Sequence, residues 1–195
     1  KALTVTDNAD GSYRLDYLVR VVNSGTTALT GIVVTDQPSS DLQAATDSVI
    51  DDVSITAGSA TAGNYLGANL ATASTLAAGE SIELSYSLLI TPANAADASN
   101  LLNQASVAAQ DQNGNALSDL SDNGNSPLGD NGEGGVDDPT PFTASNIGIA
   151  KDLSSTDNGD GSYDLRYVIS VRNTGSDTLS NVVVTDSPSG NLQAA

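Results

Sequence analysis

An internal repeat limits the folds that this chain can adopt. Residues 1–45 align without a gap on residues 151–195, and 25 of the 45 positions are identical at an offset of 150 residues. Self-similarity at a fixed period is the signature of a repeat architecture, in which each copy is one structural unit. The sequence therefore predicts one nearly complete repeat followed by the opening of the next, as a piece of a longer tandem array.

Alternation of apolar and polar residues predicts that the repeat is all-β. Several runs place every second apolar residue on one face, as half-buried strands do. These runs are 12–23, 29–36, 80–91 and 101–110, with a weaker one at 51–58. Turn-forming pairs such as Asp10-Gly11 and Asn113-Gly114 separate them, so we expect an immunoglobulin-like β-sandwich. The small-residue-rich segment 57–75 fits a short helix and an irregular loop equally well.

Composition changes after the predicted sandwich. Residues 122–145 are rich in Asp, Asn, Gly and Pro and have few side chains to bury, which is typical of a linker. We therefore expect three segments. They are a sandwich over 1–121, an acidic linker over 122–145, and the incomplete first strands of the next repeat over 146–195.

Composition also excludes several classes of function. The chain has no cysteine, histidine or tryptophan, which excludes disulfides, Cys/His zinc sites and a Ser-His-Asp triad. Its net charge is −18, and no basic residue lies between Arg20 and Lys151, whereas nucleic acids and anionic membranes require a basic surface. No apolar run is long enough to cross a membrane. Paired carboxylates are compatible with a glycosidase, but with no tryptophan and a single phenylalanine, Phe142, we expect no enzyme activity.

Four segments resemble a known family of repeats. They are IAKDL at 149–153, GDGSYDLRYVISVRNTGSDTLSNVVVTD at 159–186, LAAGESIELSYSLLIT at 76–91 and LLNQASVAAQDQNGNALSDLSDNG at 101–124. In these segments the chain is similar to the bacterial and archaeal surface-protein repeats classified as domain of unknown function eleven. The resemblance implies an immunoglobulin-like fold in long tandem arrays. It also implies a structural or adhesive role in very large extracellular or cell-wall-attached proteins, such as adhesins and stalks.

Lysine occurs once per repeat, at Lys1 and at Lys151, on a strand face that should point to the core. Lysine is rarely buried without a partner. Asn103 and Asp36 also lie on the inward faces of their predicted strands. An inward lysine, asparagine and aspartate on three strands resemble the intramolecular isopeptide sites of Gram-positive pilins and collagen-binding adhesins. That resemblance implies a cross-link between Lys1 and Asn103, with Asp36 as the acid.

Burial would favour this chemistry, because it disfavours the charged forms of both an amine and a carboxyl group. The neutral amine attacks the amide, the acid polarises the amide, and ammonia leaves. Several alternatives stay open at this point. Lys1 extends to the sandwich edge and pairs with a surface carboxylate, Asn103 caps a turn, or Glu80 is the acid instead of Asp36. A register slip of one residue would also turn each side chain to the other face.

Acidic residues of the predicted linker form a candidate calcium site. They alternate with asparagines and glycines, and Ca²⁺ takes its oxygen ligands from carboxylates, amides and backbone carbonyls. No EF-hand motif is present, and a flexible linker that attracts counter-ions loosely explains the composition equally well. The candidate ligands are Asp122, Asp130, Glu133, Asp137 and Asp138.

Together these features predict a mechanical function. We expect a tandem-repeat module of an extracellular stalk, adhesin or filament at the cell surface. Its partners would be neighbouring repeats of the same chain or identical chains. Two alternatives remain: an adhesive module whose sandwich binds a glycan or a protein, and a filament subunit whose strands complete a sandwich in a neighbouring chain.

Overall fold

The computed structural model describes residues 1–95, 100–127, 137–144, 147–173, 175 and 177–187. The chain divides into two units, Lys1–Thr143 and Ala144–Ala195. The described secondary structure consists almost entirely of antiparallel strands, so the predicted all-β fold is confirmed. Among the described residues, no helix is both long enough and apolar enough to span a membrane.

Unit 1 contains ten strands, one short α-helix and one short 3-10 helix within its described residues. In chain order they are β1 (Ala2–Asp7), β2 (Tyr13–Val22), β3 (Leu29–Pro38), α1 (Ser40–Ala45), β4 (Thr46–Ala57), β5 (Thr61–Ala62), β6 (Ala71–Leu76), β7 (Ser81–Ile90), the 3-10 helix (Pro92–Asn94), β8 (Leu102–Gln110), β9 (Ala116–Leu120) and β10 (Thr140–Pro141).

Two antiparallel sheets face each other in unit 1. One has the strand order β1-β2-β7-β4, and the other has the order β10-β8-β3-β6-β5, with β9 also paired to β8. Strands β2 and β7 pair along their whole length, with Tyr17 opposite Tyr86. Alternate residues of both strands are buried, as the sequence pattern predicts, because a period of two places them on the core face. Ile32, Val34 and Ala105 contribute to the core from the other sheet.

Two segments of unit 1 have structure that the strand pattern does not predict. Helix α1 begins after Ser39, whose hydroxyl accepts a hydrogen bond from the Leu42 N–H, and Leu42 is fully buried. The unassigned segment 57–75 contains β5 and most of β6, which extend the second sheet. The second sheet is therefore wider than the sequence runs suggest.

The described end of the predicted linker packs against the sandwich. Strand β10 pairs with β8, and the Phe142 ring is buried with its centroid 5.1 Å from that of Tyr13. The composition of the segment is acidic overall and therefore does not indicate that a few of its side chains are buried. Unit 1 accordingly extends to Thr143, beyond the boundary expected at residue 121.

Unit 2 repeats the first hairpin of unit 1. Strand β11 (Ile147–Asp157) pairs with β12 (Tyr163–Asn173), and Leu153 lies opposite Tyr167 as Leu3 lies opposite Tyr17. The register is therefore the same at the 150-residue offset. Large apolar side chains of both strands are exposed, namely Ile147, Ile149, Leu153, Tyr163, Leu165, Tyr167, Val168, Ile169 and Val171.

Candidate cross-linking site

Three strand regions bring Lys1, Asp36 and Asn103 together between the sheets of unit 1. Lys1 precedes β1 of the first sheet, whereas Asp36 and Asn103 lie on the neighbouring strands β3 and β8 of the second. The Lys1 side chain is 0% exposed, the Asp36 side chain is 4% exposed, and Asn103 is 0% exposed. All three residues predicted to form the site therefore point into the core.

The Asp36 carboxylate bridges the other two side chains. Lys1 Nζ donates a hydrogen bond to Asp36 Oδ1 at 2.5 Å, and Asn103 Nδ2 donates to Asp36 Oδ2 at 3.0 Å. One carboxylate thus contacts the amine and the amide, each through a different oxygen. A proton can therefore move from the amine to the amide through Asp36 without passing through bulk water.

The positions of these side chains bear on the alternatives that the sequence left open. Complete burial of Lys1 excludes a side chain that extends to the surface. Asn103 forms hydrogen bonds to side chains in the core and does not cap a turn. Glu80 is exposed and accepts a hydrogen bond from the Ala77 N–H, so Asp36 is the acid that contacts Lys1.

Burial changes the protonation of Lys1. The loss of solvation lowers the pKa of Lys1 from 10.5 to about 8, although the charge and the hydrogen bond of Asp36 act in the opposite direction. A neutral amine is therefore far more accessible near neutral pH than in a solvated lysine. Desolvation of this kind is one of the ways in which proteins activate a lysine as a nucleophile.

Three tyrosines surround the group, and the sequence analysis missed their part in the site. The rings of Tyr17 and Tyr65 each stack on Tyr86, at centroid distances of 5.1 and 5.0 Å. Lys1 Nζ lies 4.5 Å from the Tyr17 ring centroid and 5.5 Å from that of Tyr86, which is the range of a cation–π interaction. The inward positions of Tyr17 and Tyr86 were predictable, but an inward aromatic residue ordinarily indicates core packing.

The Tyr86 hydroxyl completes the hydrogen-bond network around Asp36. It donates to Asp36 Oδ2 at 2.7 Å and accepts from Asn103 Nδ2 at 3.2 Å. Burial, followed by the nearby charge of Asp36, raises the pKa of Tyr86 well above its ordinary value, so the hydroxyl keeps its proton. Tyr86 therefore orients both the acid and the amide.

The same lysine–aspartate pair recurs in unit 2. Lys151 Nζ donates to the two carboxylate oxygens of Asp186 at 2.6 and 2.8 Å and lies 4.4 Å from the Tyr167 ring centroid. These residues are the counterparts, at the 150-residue offset, of the lysine, aspartate and tyrosine in unit 1. The Lys151 and Asp186 side chains are 37% and 45% exposed. The lysine–aspartate contact therefore forms within the hairpin and the segment that follows it. The burial of the corresponding pair in unit 1 requires β7 and β8 in addition.

The described residues of the predicted calcium site do not form a metal-binding group. Asp122 Oδ1 accepts a hydrogen bond from the Asp137 N–H at 2.7 Å. Within the described part of the chain, which includes Asp138, no three acidic side chains lie close enough together to hold a metal ion. Asp130 and Glu133 lie outside the described residues. Calcium binding by the whole segment stays a prediction.

Comparison with known proteins gives a distant structural neighbour. The chain is similar to a crystal structure of a variant of BcpA, the major pilin subunit of Bacillus cereus, at 10% sequence identity and a TM-score of 0.34. The match covers 89% of this chain and 52% of that chain, so this chain spans about half the length of the pilin chain. No protein-family model and no curated protein matches the chain. The family resemblance seen in the sequence therefore stays a prediction.

Proposed function

We propose that this chain is a structural module of a tandem-repeat protein at the cell surface, and that an isopeptide bond between Lys1 and Asn103 locks its sandwich. The observation that carries the proposal is the buried contact of both side chains with Asp36. An amine and an amide that each contact the same carboxyl group are the two reactants and the acid–base catalyst that such a bond requires. The chain has no cysteine, and an isopeptide bond supplies covalent stabilisation without a disulfide.

Each step of the reaction can be assigned to an atom of the site. Asp36 Oδ1 takes a proton from the Lys1 ammonium, and the neutral amine attacks Asn103 Cγ. The Asp36 carboxylic acid then transfers this proton to Nδ2, and the carboxylate so formed accepts the surplus proton of Nζ as the bond between Cγ and Nδ2 breaks. Ammonia leaves, the new amide joins Nζ to Cγ, and Asp36 holds the remaining proton.

The surroundings of the site suit a reaction that occurs once. The reacting groups are buried, which limits the access of bulk water to Cγ. A cavity of about 60 Å³ adjoins the lysine and is lined in part by Val34 and Ala105, which is enough room for a molecule the size of water or ammonia. Because the reaction consumes the protein's own side chains, the site is not that of an enzyme with turnover.

The position of the bond explains how it would serve a mechanical function. It joins the start of β1 to β8, across the two sheets of unit 1. A pulling force that enters before β1 would pass through the cross-link to β8, and the residues between positions 1 and 103 would carry no load. Such a module keeps its length under tension, which is the property that a stalk or a filament needs.

Intact mass spectrometry under denaturing conditions tests the proposal. We expect the wild-type chain to be lighter than its sequence mass by one ammonia molecule, and peptide mapping to find Lys1 joined to Asn103. Lys1→Arg retains a positive charge without a readily deprotonated amine, so it should have its full sequence mass. The matched variant Lys151→Arg should lose one ammonia, as the wild type does. An unmodified wild-type mass, or the same ammonia loss in Lys1→Arg, would contradict the cross-link.

A filament subunit that completes a sandwich in a neighbouring chain is a second candidate, because unit 2 exposes an apolar surface. Ile149, Leu153 and Tyr167 are exposed on its hairpin, and an isolated hairpin with such side chains gains stability from a covering strand. Size-exclusion chromatography with light scattering separates the two candidates. Association that increases with protein concentration favours the filament subunit, and a monomer at every concentration favours the spacer module.

A further inference from the structure

Among the described residues, three buried polar atoms of the cross-linking site lack a hydrogen-bond partner, namely Asn103 Oδ1 and the hydroxyl oxygens of Tyr17 and Tyr65. Two of them, Asn103 Oδ1 and the Tyr17 hydroxyl oxygen, belong to buried residues that contact Asp36 or Lys1 directly. Buried polar groups almost always have a partner, and one that lacks a partner requires an explanation. The first atom is an acceptor and the second carries a donor. Both residues contact the same buried pair, since Tyr17 lies against Lys1 and Asn103 is bonded to Asp36.

The proposed reaction requires a hydrogen-bond donor at Asn103 Oδ1. When the amine attacks Cγ, the carbonyl oxygen becomes an oxyanion, and catalysts of acyl transfer place hydrogen-bond donors at that position. Asp36 and Tyr86 are already engaged on the other side of the amide, where both are bonded to Nδ2. The oxygen therefore needs a donor from a different residue.

Tyr17 carries such a donor and lies in the same buried cluster. The residue is 1% exposed, and its ring stacks on Tyr86 and lies under the Lys1 ammonium. Burial raises the pKa of Tyr17 far above its ordinary value and outweighs a smaller opposing interaction with the Asn103 side chain. The hydroxyl is therefore protonated at neutral pH and able to donate.

Resting on the cross-linking function proposed above, we propose that Tyr17 is a further catalytic residue whose hydroxyl donates a hydrogen bond to the oxyanion that forms on Asn103 Oδ1. The hydrogen bond is absent before the reaction and forms as charge develops on Oδ1, because catalytic hydrogen bonds often tighten only in the transition state. Tyr17 keeps its proton throughout. The oxyanion returns its electron pair to the carbonyl bond when ammonia leaves, and the transferred protons move through Asp36. Tyr17 thus sets the rate of the reaction and not its product.

The rate of cross-linking tests this role. The full chain is made by cell-free synthesis, samples are quenched at intervals in acidic denaturant, and their intact masses are measured. Tyr17→Phe removes only the hydroxyl, and we expect it to slow ammonia loss ~100-fold or more while the final mass stays that of the cross-linked chain. Tyr167→Phe is the matched control, because it removes the hydroxyl of the counterpart tyrosine in unit 2, which is 37% exposed and lies outside the cross-linking site. Its rate should be that of the wild type.

Two further measurements separate the chemistry from folding. In a Lys1→Arg background no cross-link forms, so equal free energies of unfolding with and without Tyr17→Phe would show that the hydroxyl is not needed for the fold. A fluorinated tyrosine at position 17 keeps the ring and the hydroxyl but makes the hydroxyl a stronger donor. We expect it to accelerate ammonia loss, which a purely structural role for Tyr17 would not do.

The outcomes distinguish this proposal from the one on which it rests. A wild-type rate for Tyr17→Phe, with the cross-link formed, overturns the role of Tyr17 and leaves the cross-linking function standing. Equal slowing by Tyr17→Phe and Tyr167→Phe also overturns that role. Absence of ammonia loss from the wild-type chain overturns the cross-linking function, and the role of Tyr17 falls with it.

Discussion

Replacement of Asp36 by asparagine should abolish the cross-link while disturbing the fold little. Asp36→Asn keeps the size of the side chain and a carbonyl oxygen that can accept from Lys1 or Tyr86. It removes the group that takes the proton from the amine and passes it to Asn103. We therefore expect the variant to have its full sequence mass, with no ammonia lost.

The expected loss of stability follows from the loop that the bond closes. The loop between Lys1 and Asn103 has about 100 residues, and the chain-entropy relation for a covalent cross-link assigns ~4.7 kcal/mol to a loop of that size. For a domain of about 140 residues, a change of 1 kcal/mol in the free energy of unfolding shifts the melting temperature by ~4 °C. The unlinked variant should therefore melt ~15–20 °C below the wild type.

Calorimetry and intact mass, measured on the same samples, check both expectations. Asp186→Asn makes the same change in the exposed pair of unit 2, so it should alter neither the loss of ammonia nor the melting temperature of unit 1. Asn103→Ala and the double variant complete a thermodynamic cycle. Because both substitutions remove the same bond, their effects on the free energy of unfolding should not add. Ammonia loss in Asp36→Asn would remove Asp36 from the mechanism, and an unlinked variant that melts with the wild type would refute the loop-closure argument.

Three further predictions concern the buried charge, the edge of unit 1 and the acidic segment. In Asn103→Ala, Lys1 stays a free amine, and burial lowers its pKa from 10.5 to about 8; the unfolded state then binds more protons between these values. The free energy of urea unfolding of Asn103→Ala, taken relative to that of the double variant with Lys1→Met, should therefore rise by about 3 kcal/mol from pH 8 to pH 10.5. The comparison cancels the ionisation of the buried tyrosines near pH 10, whose raised pKa values lower the stability of both variants there. Phe142→Ala should cost ~3–5 kcal/mol, because its ring is buried against Tyr13; Leu66→Ala, at an 84% exposed position, is the control, and equal urea midpoints for the two would contradict the packing of this segment. Calcium should raise the melting temperature and reduce the hydrodynamic radius by binding the acidic segment, and a titration that changes neither would count against a calcium site.

Strand periodicity was sufficient to predict the inward faces of Lys1, Asp36 and Asn103. The parity of a residue within a strand is a local property, and recurrence of the lysine at the repeat offset supported it independently. Which oxygen of Asp36 meets the amine and which meets the amide depends on how β3 packs against β8 and against the other sheet. That arrangement is a matter of non-local register, which a single sequence does not contain.

Strand periodicity does not predict some other features of unit 1. Tyr65 comes from the small-residue segment 57–75, which has no period, and it reaches the site by stacking on Tyr86. Helix α1 is too short to display a helical period, although Ser39 is a typical N-cap residue. Phe142 was assigned to a linker because an average over an acidic segment conceals a single buried side chain.

The two lysine–aspartate pairs show what a cross-link adds to the fold. In unit 2 the pair of Lys151 and Asp186 is exposed, and an exposed ion pair contributes ~0–1 kcal/mol. In unit 1 the corresponding pair is buried, where the loss of solvation offsets the attraction and can exceed it. Ion pairing alone is therefore a weak reason to keep a lysine in the core. The proposed reaction with Asn103 would remove the difficulty, because it would convert the amine into a neutral amide and make the contact covalent. The burial that weakens the ion pair is thus the same condition that activates the lysine to form the bond.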